Sequence, residues 1–375
     1  MSRYVVIQNT ADLQQVLDST VDGDTVDLRN TTWTLTETLR ITTAITLIGT
    51  ATLTEASSLR PMLDVTASAT IDGLTFNGVD TVKPWLVEDL DSAAISLSSD
   101  GAKVSNCDIS GKAQGVRVLG KHCIVERNTI TGLLSVKSDG ANYHQGISGS
   151  SCDDLIAYRN TIKNIGGGIT IGLSAVRAII ADNDIEHCFD NGVYLSSGVG
   201  CIITANAIKT VDGGGIKARG SSNVINGNVI DEVSMVAIAV TSLPVVDSGS
   251  DNRITSNSLT GCGLEGIRVA GVKKDGVWFY PSDTLVDSNT ITRVGFAAPG
   301  YGSITINGLR HQIINNRVVE VHPSAQAALL LNTTDWVVLV NNTLQGSIKL
   351  IDSQNVQQFG NTRENATTHS NRPEI

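Results

Sequence analysis

Aromatic residues and prolines are scarce in this sequence. Phe, Trp and Tyr together make up 4% of the 375 residues, and there are seven prolines against 36 glycines. A core with so few large rings favours many short, tightly turned strands over a helical bundle. Charged residues are also few, at 17%, while hydrophobic residues reach 41%. This balance excludes a disordered chain, which has low hydrophobicity and high net charge.

Long apolar runs and an excess of positive charge are both absent. The longest apolar runs, 327–331 and 336–340, are far shorter than the roughly 18 to 20 residues that cross a bilayer. Acidic residues outnumber basic ones by 37 to 27, a formal net charge of -10, which repels a phosphate backbone. We therefore expect neither a membrane span nor a nucleic acid partner. The N-terminal stretch also lacks the apolar segment and cleavage site of a signal peptide.

Paired cysteine motifs are missing as well. No CxxC pair and no metal-type histidine spacing joins the six scattered cysteines. A small thiol suits a narrow core, so we predict reduced, packed cysteines and synthesis in a reducing cytosol. The six are Cys107, Cys123, Cys152, Cys188, Cys201 and Cys262.

What the sequence does contain is a repeat. The pattern apolar-x-x-Asn-x-apolar returns with a base period of about 22 to 23 residues, and longer intervals mark insertions. An asparagine that recurs at one turn is typical of a solenoid, because its amide can hydrogen-bond to the next coil. The repeats are marked by Asn106, Asn128, Asn160, Asn183, Asn206, Asn228, Asn257, Asn289, Asn316, Asn342 and Asn361.

A second motif, Gly-apolar-x-apolar, stands midway in each period, as in Gly192-Val193-Tyr194-Leu195. Strands that alternate in this way point apolar side chains inwards and polar ones outwards. Coils stacked about 4.8 Å apart then bury one continuous apolar column while their backbones pair. The sequence therefore predicts an all-β solenoid.

The two motifs together resemble those of the pectate-lyase-like superfamily, which includes polysaccharide lyases, uronan epimerases and phage tailspike depolymerases. The stretches 22–28 and 45–49 are similar to the opening coil of these proteins. The resemblance implies a right-handed parallel β-helix of about eleven or twelve coils over residues 21–361. Residues 1–20 are expected to form an N-terminal strand and capping helix, and 362–375 a polar C-terminal tail.

The capping helix is expected at 11–17. Leu13, Val16 and Leu17 form its apolar stripe, and Thr10 is the candidate N-cap. Such a helix protects the open strand edge of a solenoid from pairing with other chains.

The exposed x position of the second motif forms a column of outward-facing side chains, one per coil. Tyr194 and Lys217 occupy it in consecutive repeats, and Arg219 faces the same way. The predicted column contains Ser96, Arg117, Ser148, Thr170, Tyr194, Lys217, Ala239, Arg268, Thr305 and Lys349.

In the family that the chain resembles, this sheet and the loop before it commonly form the saccharide groove. A uronan lyase needs a cation for the sugar carboxylate, a base for the C5 proton and an acid for the leaving oxygen. The candidate catalytic residues are Tyr194 and Lys217 as acid and base, Arg219 for the carboxylate, and His144 as an alternative base. The candidate substrate-binding residues are Tyr143, Arg117, Arg268, Asp190, Asp212, Trp278 and Tyr280.

The cations of the column have a second interpretation. Lys217, Arg219 and Arg268 can equally be solvated charges paired with acids on neighbouring coils. Oxygen ligands on consecutive coils can also converge on a calcium ion, the one cofactor that we consider. The acids in question are Asp190, Asp212 and Glu265.

The resemblance implies an enzyme that degrades an acidic, uronate-containing polysaccharide, most simply as a polysaccharide lyase of the phage exopolysaccharide depolymerase kind. A glycoside hydrolase is the runner-up, but it needs paired carboxylates, and Asp153-Asp154 lack the surrounding polygalacturonase motifs. A uronan epimerase and a non-catalytic glycan-binding or structural β-helix also stay open. We also expect a homotrimer. The protein is expected to be virion-associated or synthesised in the cytoplasm, and to act on extracellular polysaccharide.

Overall fold

The protein is a solenoid of short parallel strands stacked in three sheets. Each turn contributes one strand to each sheet, so that three parallel walls surround one apolar core. The residues described by the structure, a computed structural model, are 2–7, 12–80, 91–132, 144–172, 175–244, 249–295, 301–322 and 327–363.

The first sheet contains the Gly-apolar-x-apolar strands. Their inward side chains, such as Ile169 and Val193, are completely buried, and the strands stay in register from coil to coil because one face is buried. The strands are β4 (Leu39–Ile41), β7 (Leu63–Val65), β10 (Ala93–Leu97), β13 (Gln114–Val118), β16 (Gln145–Gly149), β19 (Gly167–Ile171), β23 (Val193–Val199), β26 (Ile216–Ser221), β29 (Ile238–Thr241), β32 (Ile267–Ala270), β37 (Gly302–Leu309), β40 (Ala327–Val340) and β42 (Ile348–Ile351), with the short β20 (Ala175–Val176) beside β23.

The second sheet follows the first, and hydrogen bonds join the two into one 28-stranded assembly. Most of its strands have three residues, of which the middle one is buried. The strands are β1 (Tyr4–Val6), β2 (Thr25–Asp27), β5 (Thr46–Ile48), β8 (Thr70–Asp72), β11 (Lys103–Ser105), β14 (Ile124–Glu126), β17 (Ile156–Tyr158), β21 (Ile179–Ala181), β24 (Ile202–Thr204), β27 (Val224–Asn226), β30 (Arg253–Thr255), β35 (Leu285–Asp287), β38 (Gln312–Ile314) and β43 (Gln354–Phe359), and the end of β40 also belongs here.

The third sheet has one strand in every turn and therefore counts the coils. Its 14 strands give about 14 turns within the described residues. The strands are β3 (Thr32–Leu35), β6 (Thr52–Glu55), β9 (Thr75–Asn77), β12 (Asp108–Ser110), β15 (Thr129–Thr131), β18 (Thr161–Ile165), β22 (Asp184–Cys188), β25 (Ala207–Val211), β28 (Val229–Val233), β31 (Ser258–Cys262), β36 (Thr290–Val294), β39 (Arg317–Val321), β41 (Thr343–Leu344) and β44 (Thr362–Arg363).

The buried asparagines form one continuous column at the turn between the second and third sheets, as predicted. The Oδ1 atom of Asn206 accepts from Nδ2 of Asn183 at 2.9 Å, and Oδ1 of Asn228 accepts from Nδ2 of Asn206 at 3.0 Å. The same oxygens also accept from the backbone N–H of the preceding asparagine. The column thus satisfies backbone groups that the turn withdraws from the sheets.

The first turns lack these asparagines, which is why eleven or twelve coils were an underestimate. Ala51, Leu74 and Cys107 accept the backbone hydrogen bond that Asn128 accepts further along. Asn106, the predicted first member, lies one residue before the column in a left-handed conformation with φ of 53°. Apolar residues fill the column where no side-chain amide is present, so a search for asparagine misses these turns.

A second column of hydrogen-bonding side chains lies between the first and second sheets and was not predicted. The Nδ2 atom of Asn223 donates to Oδ1 of Asn252 at 3.1 Å. In a later coil His311 occupies the equivalent position, and its Nδ1 accepts a hydrogen bond from the backbone N–H of Thr284 at 3.2 Å. Burial lowers the pKa of His311 to about 4, so this imidazole is neutral at pH 7.

The N-terminal end is covered by the predicted helix. Helix α1 spans Leu13–Asp18, with Leu13 and Leu17 buried. Its N-cap is Asp12, whose side chain accepts from the backbone N–H of Gln15, whereas the predicted N-cap, Thr10, lies outside the described residues. The third sheet continues to Arg363, so the coil extends slightly beyond 361, and residues 364–375 of the predicted tail are outside the described ranges.

All six cysteines are free and buried, as predicted. Burial raises the pKa of the Cys107 and Cys188 thiols to about 12. These thiols therefore stay protonated and act as small apolar residues.

A buried lysine ties the early coils together. The Nζ of Lys112 is 3.2 Å from Oε2 of Glu55, 3.2 Å from Oδ1 of Asp80 and 2.9 Å from the carbonyl oxygen of Leu59. Lys112 and Glu55 are both almost fully buried. A charge this deep is tolerated because two carboxylates and a carbonyl surround it.

Candidate functional site

The predicted outward column, called the ladder below, is present on the first sheet, and Leu330, which was not predicted, stands between Thr305 and Lys349. Thr170 pairs with Tyr194, Tyr194 with Lys217, and Lys217 with Ala239. Arg268 pairs with Ala239 and therefore lies two coils beyond Lys217. The ladder runs through Arg40, Asp64, Ser96, Arg117, Ser148, Thr170, Tyr194, Lys217, Ala239, Arg268, Thr305, Leu330 and Lys349.

Tyr194, Lys217 and Arg219 meet on the outer face and are called the Tyr194 cluster below. The Nζ of Lys217 is 5.3 Å from the centroid of the Tyr194 ring, and Cζ of Arg219 is 5.7 Å from it. Among the described residues neither cation forms an ion pair. The buried Nε of Arg219 has no hydrogen-bond partner there. The cluster thus presents two uncompensated cations around one phenol ring.

Asp212, another predicted binding residue, lies in the turn between β25 and β26 and is exposed. It lines a cavity of about 360 Å³ together with Glu232 and Arg293, at the turn where the third sheet leads into the first. An adjoining cavity of about 170 Å³ shares Asp212 with His187 and Phe189. Among the described residues Asp212 forms no ion pair with Lys217 or Arg219.

Arg268 has the ion-pair partner that the second interpretation of the cations predicts. Its Nε and Nη2 donate to the two carboxylate oxygens of Glu265 at 2.8 and 2.6 Å. The partner comes from the same coil rather than a neighbouring one. Glu265 is fully buried, and burial raises the pKa of its carboxyl group despite the adjacent guanidinium. The Cζ of Arg268 also lies 5.2 Å from the centroid of the Tyr301 ring.

Arg117, the other arginine proposed for substrate binding, is paired as well. Its Nη1 donates to the carboxylate of Asp91. Both candidate binding arginines of the ladder are therefore compensated by a carboxylate, whereas the Tyr194 cluster is not.

The predicted calcium ligands are not assembled. Glu265 is committed to Arg268, and Asp212 lines the cavity on the third-sheet side. In the described ranges no group of three or more His, Cys, Asp or Glu side chains is placed to hold a metal ion. The residues present do not fit calcium at Asp190, Asp212 and Glu265.

His144 is not part of the cluster. It precedes β16 and is almost fully buried, and its carbonyl oxygen accepts from the backbone N–H of Gly167 at 2.7 Å. Its strand carries Ser148, which is two coils before Tyr194 on the ladder. Tyr143 lies outside the described residues.

The predicted aromatic insertion is a two-stranded arm that follows β32. Strands β33 (Val272–Lys274) and β34 (Val277–Phe279) pair in antiparallel fashion. The rings of Trp278 and Tyr280 stack with centroids 5.6 Å apart and an interplanar angle of 12°. Trp278 remains 51% exposed, and Nζ of Lys273 lies 6.0 Å from its ring centroid.

The adjacent carboxylates Asp153 and Asp154 are taken up by surface ion pairs. Lys121 lies 2.9 Å from Asp153, and Arg177 lies 2.6 Å from Asp154. Each acid is therefore neutralised by a cation from a neighbouring coil.

Comparison with known proteins agrees with the geometry. A family model described as the right-handed beta helix region matches residues 93–257. The chain has the right-handed parallel β-helix fold. No curated protein sequence matches it. No helix in the described ranges is long and apolar enough to cross a membrane.

Several solved structures share this β-helix over nearly its whole length. An alginate lyase of polysaccharide lyase family 6, in complex with a trisaccharide, is 15% identical with a TM-score of 0.61, covering 96% of this chain and 88% of that one. A mannuronic acid specific family 6 lyase from human gut microbiota is 12% identical with a TM-score of 0.55, covering 89% and 87%. The Dettilon tailspike protein is 12% identical with a TM-score of 0.53, covering 88% and 62%. At this identity the likeness establishes the fold, and the chemistry depends on the residues.

Proposed function

We propose that the protein degrades an acidic, uronate-containing polysaccharide by β-elimination at the Tyr194 cluster. The observation that carries this proposal is the pair of cations, Lys217 and Arg219, that surrounds the Tyr194 ring with no ion-pair partner among the described residues. An anionic ligand supplies the missing charge. The hydroxyl of Tyr194 adds a group that can transfer a proton at the same place.

The chain's own residues cover each step of the elimination. Arg219 binds the sugar carboxylate, since its guanidinium has no ion-pair partner among the described residues and a guanidinium fits a carboxylate with two parallel hydrogen bonds. This contact stabilises the negative charge that develops when the C5 proton leaves. Lys217 and Tyr194 share the proton transfers: one accepts the C5 proton and the other donates a proton to the O4 oxygen. The C4–O bond breaks, and its cleavage leaves a C4=C5 double bond conjugated with the carboxylate.

The comparisons support the substrate class. One of the similar proteins is an alginate lyase with the same fold, and alginate is a polymer of uronates. The similar tailspike supports the alternative setting of a phage depolymerase. A homotrimer stays a prediction, and no step proposed here depends on it or on calcium.

The test is a panel of alginates, pectins and bacterial exopolysaccharides, with ultraviolet absorbance of the unsaturated uronate as the readout. We expect a rise with at least one polymer and its loss in Lys217→Ala. Lys209→Ala is the matched control, because Lys209 is an exposed lysine of the same turn on the third sheet. Binding of a polymer without any rise would favour the non-catalytic glycan-binding protein instead.

A second control isolates the phenol. Tyr158 on the second sheet also has a cation against its ring, because Cζ of Arg159 lies 4.8 Å from the ring centroid. Tyr194→Phe is expected to remove activity and Tyr158→Phe to retain it. Equal activity in the two variants would remove Tyr194 from the mechanism.

A further inference from the structure

Positive charge is distributed unevenly along the ladder. Between positions 96 and 330 its cations are Arg117, Lys217 and Arg268. The first and the last are each paired with a carboxylate. In the part of the chain that the structure describes, only Lys217, with Arg219 beside it, presents uncompensated positive charge on this stretch.

The ladder positions on both sides of the cluster are neutral. Ser148 and Thr170 precede Tyr194, and Ala239 follows Lys217. A polysaccharide that lies along the ladder therefore meets hydroxyl and methyl groups before and after one cationic place. Neighbouring sugars find no counter-charge there; Thr170 is half-buried, whereas Ser148 is nearly buried and its hydroxyl donates to Oε1 of Gln114.

Acidic groups border the same coils and oppose a dense row of carboxylates. Asp212 and Glu232 are exposed and line the cavity next to the first sheet. The whole chain carries a formal net charge of -10. Since like charges repel over several ångströms near a protein surface, each carboxylate beyond the first weakens binding here.

The arm is a separate two-stranded sheet outside the ladder, and it combines an aromatic surface with Lys273, whose Nζ lies 6.0 Å from the Trp278 ring centroid. Trp278 and Tyr280 present stacked, nearly parallel rings. A flat, half-exposed aromatic surface of this kind matches the apolar face of a sugar ring. It follows the coil of Arg268, whose charge Glu265 already balances.

We infer that the substrate carries isolated uronates separated by neutral sugars, rather than a carboxylate on every sugar. The inference rests on the proposed function, because it names the substrate class of the Tyr194 cluster. A heteropolysaccharide of this kind places one carboxylate between Lys217 and Arg219 and neutral sugars on the adjoining ladder positions.

Polymers that differ only in carboxylate density test the inference. Alginate is compared with alginate whose carboxyl groups are partly reduced to alcohols, and polygalacturonate with its partly methyl-esterified form. The linkages are the same within each pair. We expect the partly neutralised form to bind about two- to fivefold more tightly per remaining carboxylate, the range of an exposed charge interaction. Equal or tighter binding of the fully charged form in both pairs would overturn the inference, as would failure to bind any of these polymers or the exopolysaccharides.

The readouts separate this inference from the proposed function. Preference for the partly neutralised forms without any unsaturated uronate would end the elimination mechanism and leave the inference standing. Release of unsaturated uronate with a preference for the fully charged forms would support the elimination mechanism and overturn the inference about isolated uronates.

A charge introduced on the ladder provides an independent check. Ala239→Lys adds a cation between Lys217 and Arg268, and we expect about two- to fivefold tighter binding of fully charged alginate with little change for the reduced form. Ala207→Lys, which makes the same substitution on the third sheet at similar exposure, is expected to change neither. Equal effects of the two substitutions would show that overall charge, and not the ladder, selects the polymer.

Discussion

Two ladder cations, Lys217 and Arg268, lie against a tyrosine ring two coils apart, and only Arg268 has a carboxylate partner among the described residues. At the first, Lys217 and Arg219 surround Tyr194 and are uncompensated among the described residues. At the second, Arg268 stacks on Tyr301 and is held by the buried Glu265.

The difference arises three residues before each ladder position. Glu265 precedes Arg268 by three residues, and Gly214 stands in the same position before Lys217. A carboxylate at this point turns an outward cation into part of the scaffold, whereas a glycine leaves it available to a ligand. Position on the ladder therefore does not identify a functional cation, because the ladder cations Arg117 and Arg268 are paired with Asp91 and Glu265.

The largest effect is expected on stability at the second place. Arg268→Ala leaves Glu265 as a buried carboxylate without its partner, which costs about 3 to 5 kcal/mol. Lys217→Ala removes a half-buried charge that has no ion-pair partner among the described residues, and its cost is expected to stay within about 0.5 kcal/mol. Urea denaturation of both variants measures the contrast. Adding Glu265→Gln to Arg268→Ala should restore most of the lost free energy of unfolding. If it does not, the loss does not come from the unpaired Glu265 carboxylate.

Activity is expected to respond in the opposite way. Lys217→Ala should lower turnover at least about a hundredfold, the scale of a lost general acid or base. Arg268→Ala, assayed under conditions where it is folded, should lose far less. Initial rates of unsaturated uronate formation provide the measurement, and Lys209→Ala is the control. A larger loss of turnover in Arg268→Ala than in Lys217→Ala would exchange the roles of the two places.

The pH dependence of stability sharpens the comparison further. Because burial raises the pKa of Glu265 above its ordinary value of 4.5, the folded state binds the proton more tightly than the unfolded state. Stability is therefore expected to fall as pH rises from about 4.5 through the raised pKa. Glu265→Gln should abolish this slope, and melting temperatures across the pH range measure it.

His311 contributes a slope of the opposite sign. Its pKa falls from 6.5 to about 4 on folding, so stability is lost as pH drops from about 6.5 towards 4. The Glu265 comparison is therefore best made in a His311→Asn background, where only the carboxyl effect remains. A slope unchanged by Glu265→Gln in that background would remove the buried carboxylate from the account.

The smallest effect is expected at the arm that follows the Arg268 coil. Trp278→Ala should raise KM about two- to tenfold through loss of an aromatic contact, with kcat nearly unchanged. Trp336→Ala is the matched control, because Trp336 is similarly exposed on another part of the solenoid. An unchanged KM would show that the bound polymer does not extend past Arg268.

The fold and the ladder could be predicted from the sequence because both depend on fixed periods. Alternation of two residues points Tyr194 and Lys217 outwards, and stacking without slip makes them neighbours. The asparagine column follows for the same reason, since Asn183, Asn206 and Asn228 occupy equivalent turn positions.

Contacts that leave this periodicity could not be predicted. Glu265 pairs with Arg268 within one coil rather than between coils, because the turn before β32 folds its side chain back into the wall. Lys112 reaches Glu55 across 57 residues of sequence, which no local pattern indicates. Apolar residues such as Leu74 replace asparagine in the early turns, and this substitution hid the additional coils.

The most direct test of the central claim is the mass of the fragments released by the Tyr194 cluster. Elimination yields fragments that are one water lighter than those of hydrolysis and that absorb in the ultraviolet. Mass spectrometry of a cleaved substrate is expected to show these unsaturated fragments for the wild type and Lys209→Ala, and almost none for Lys217→Ala. Fragments that have gained water, or unsaturated fragments in undiminished amount from Lys217→Ala, would contradict the account.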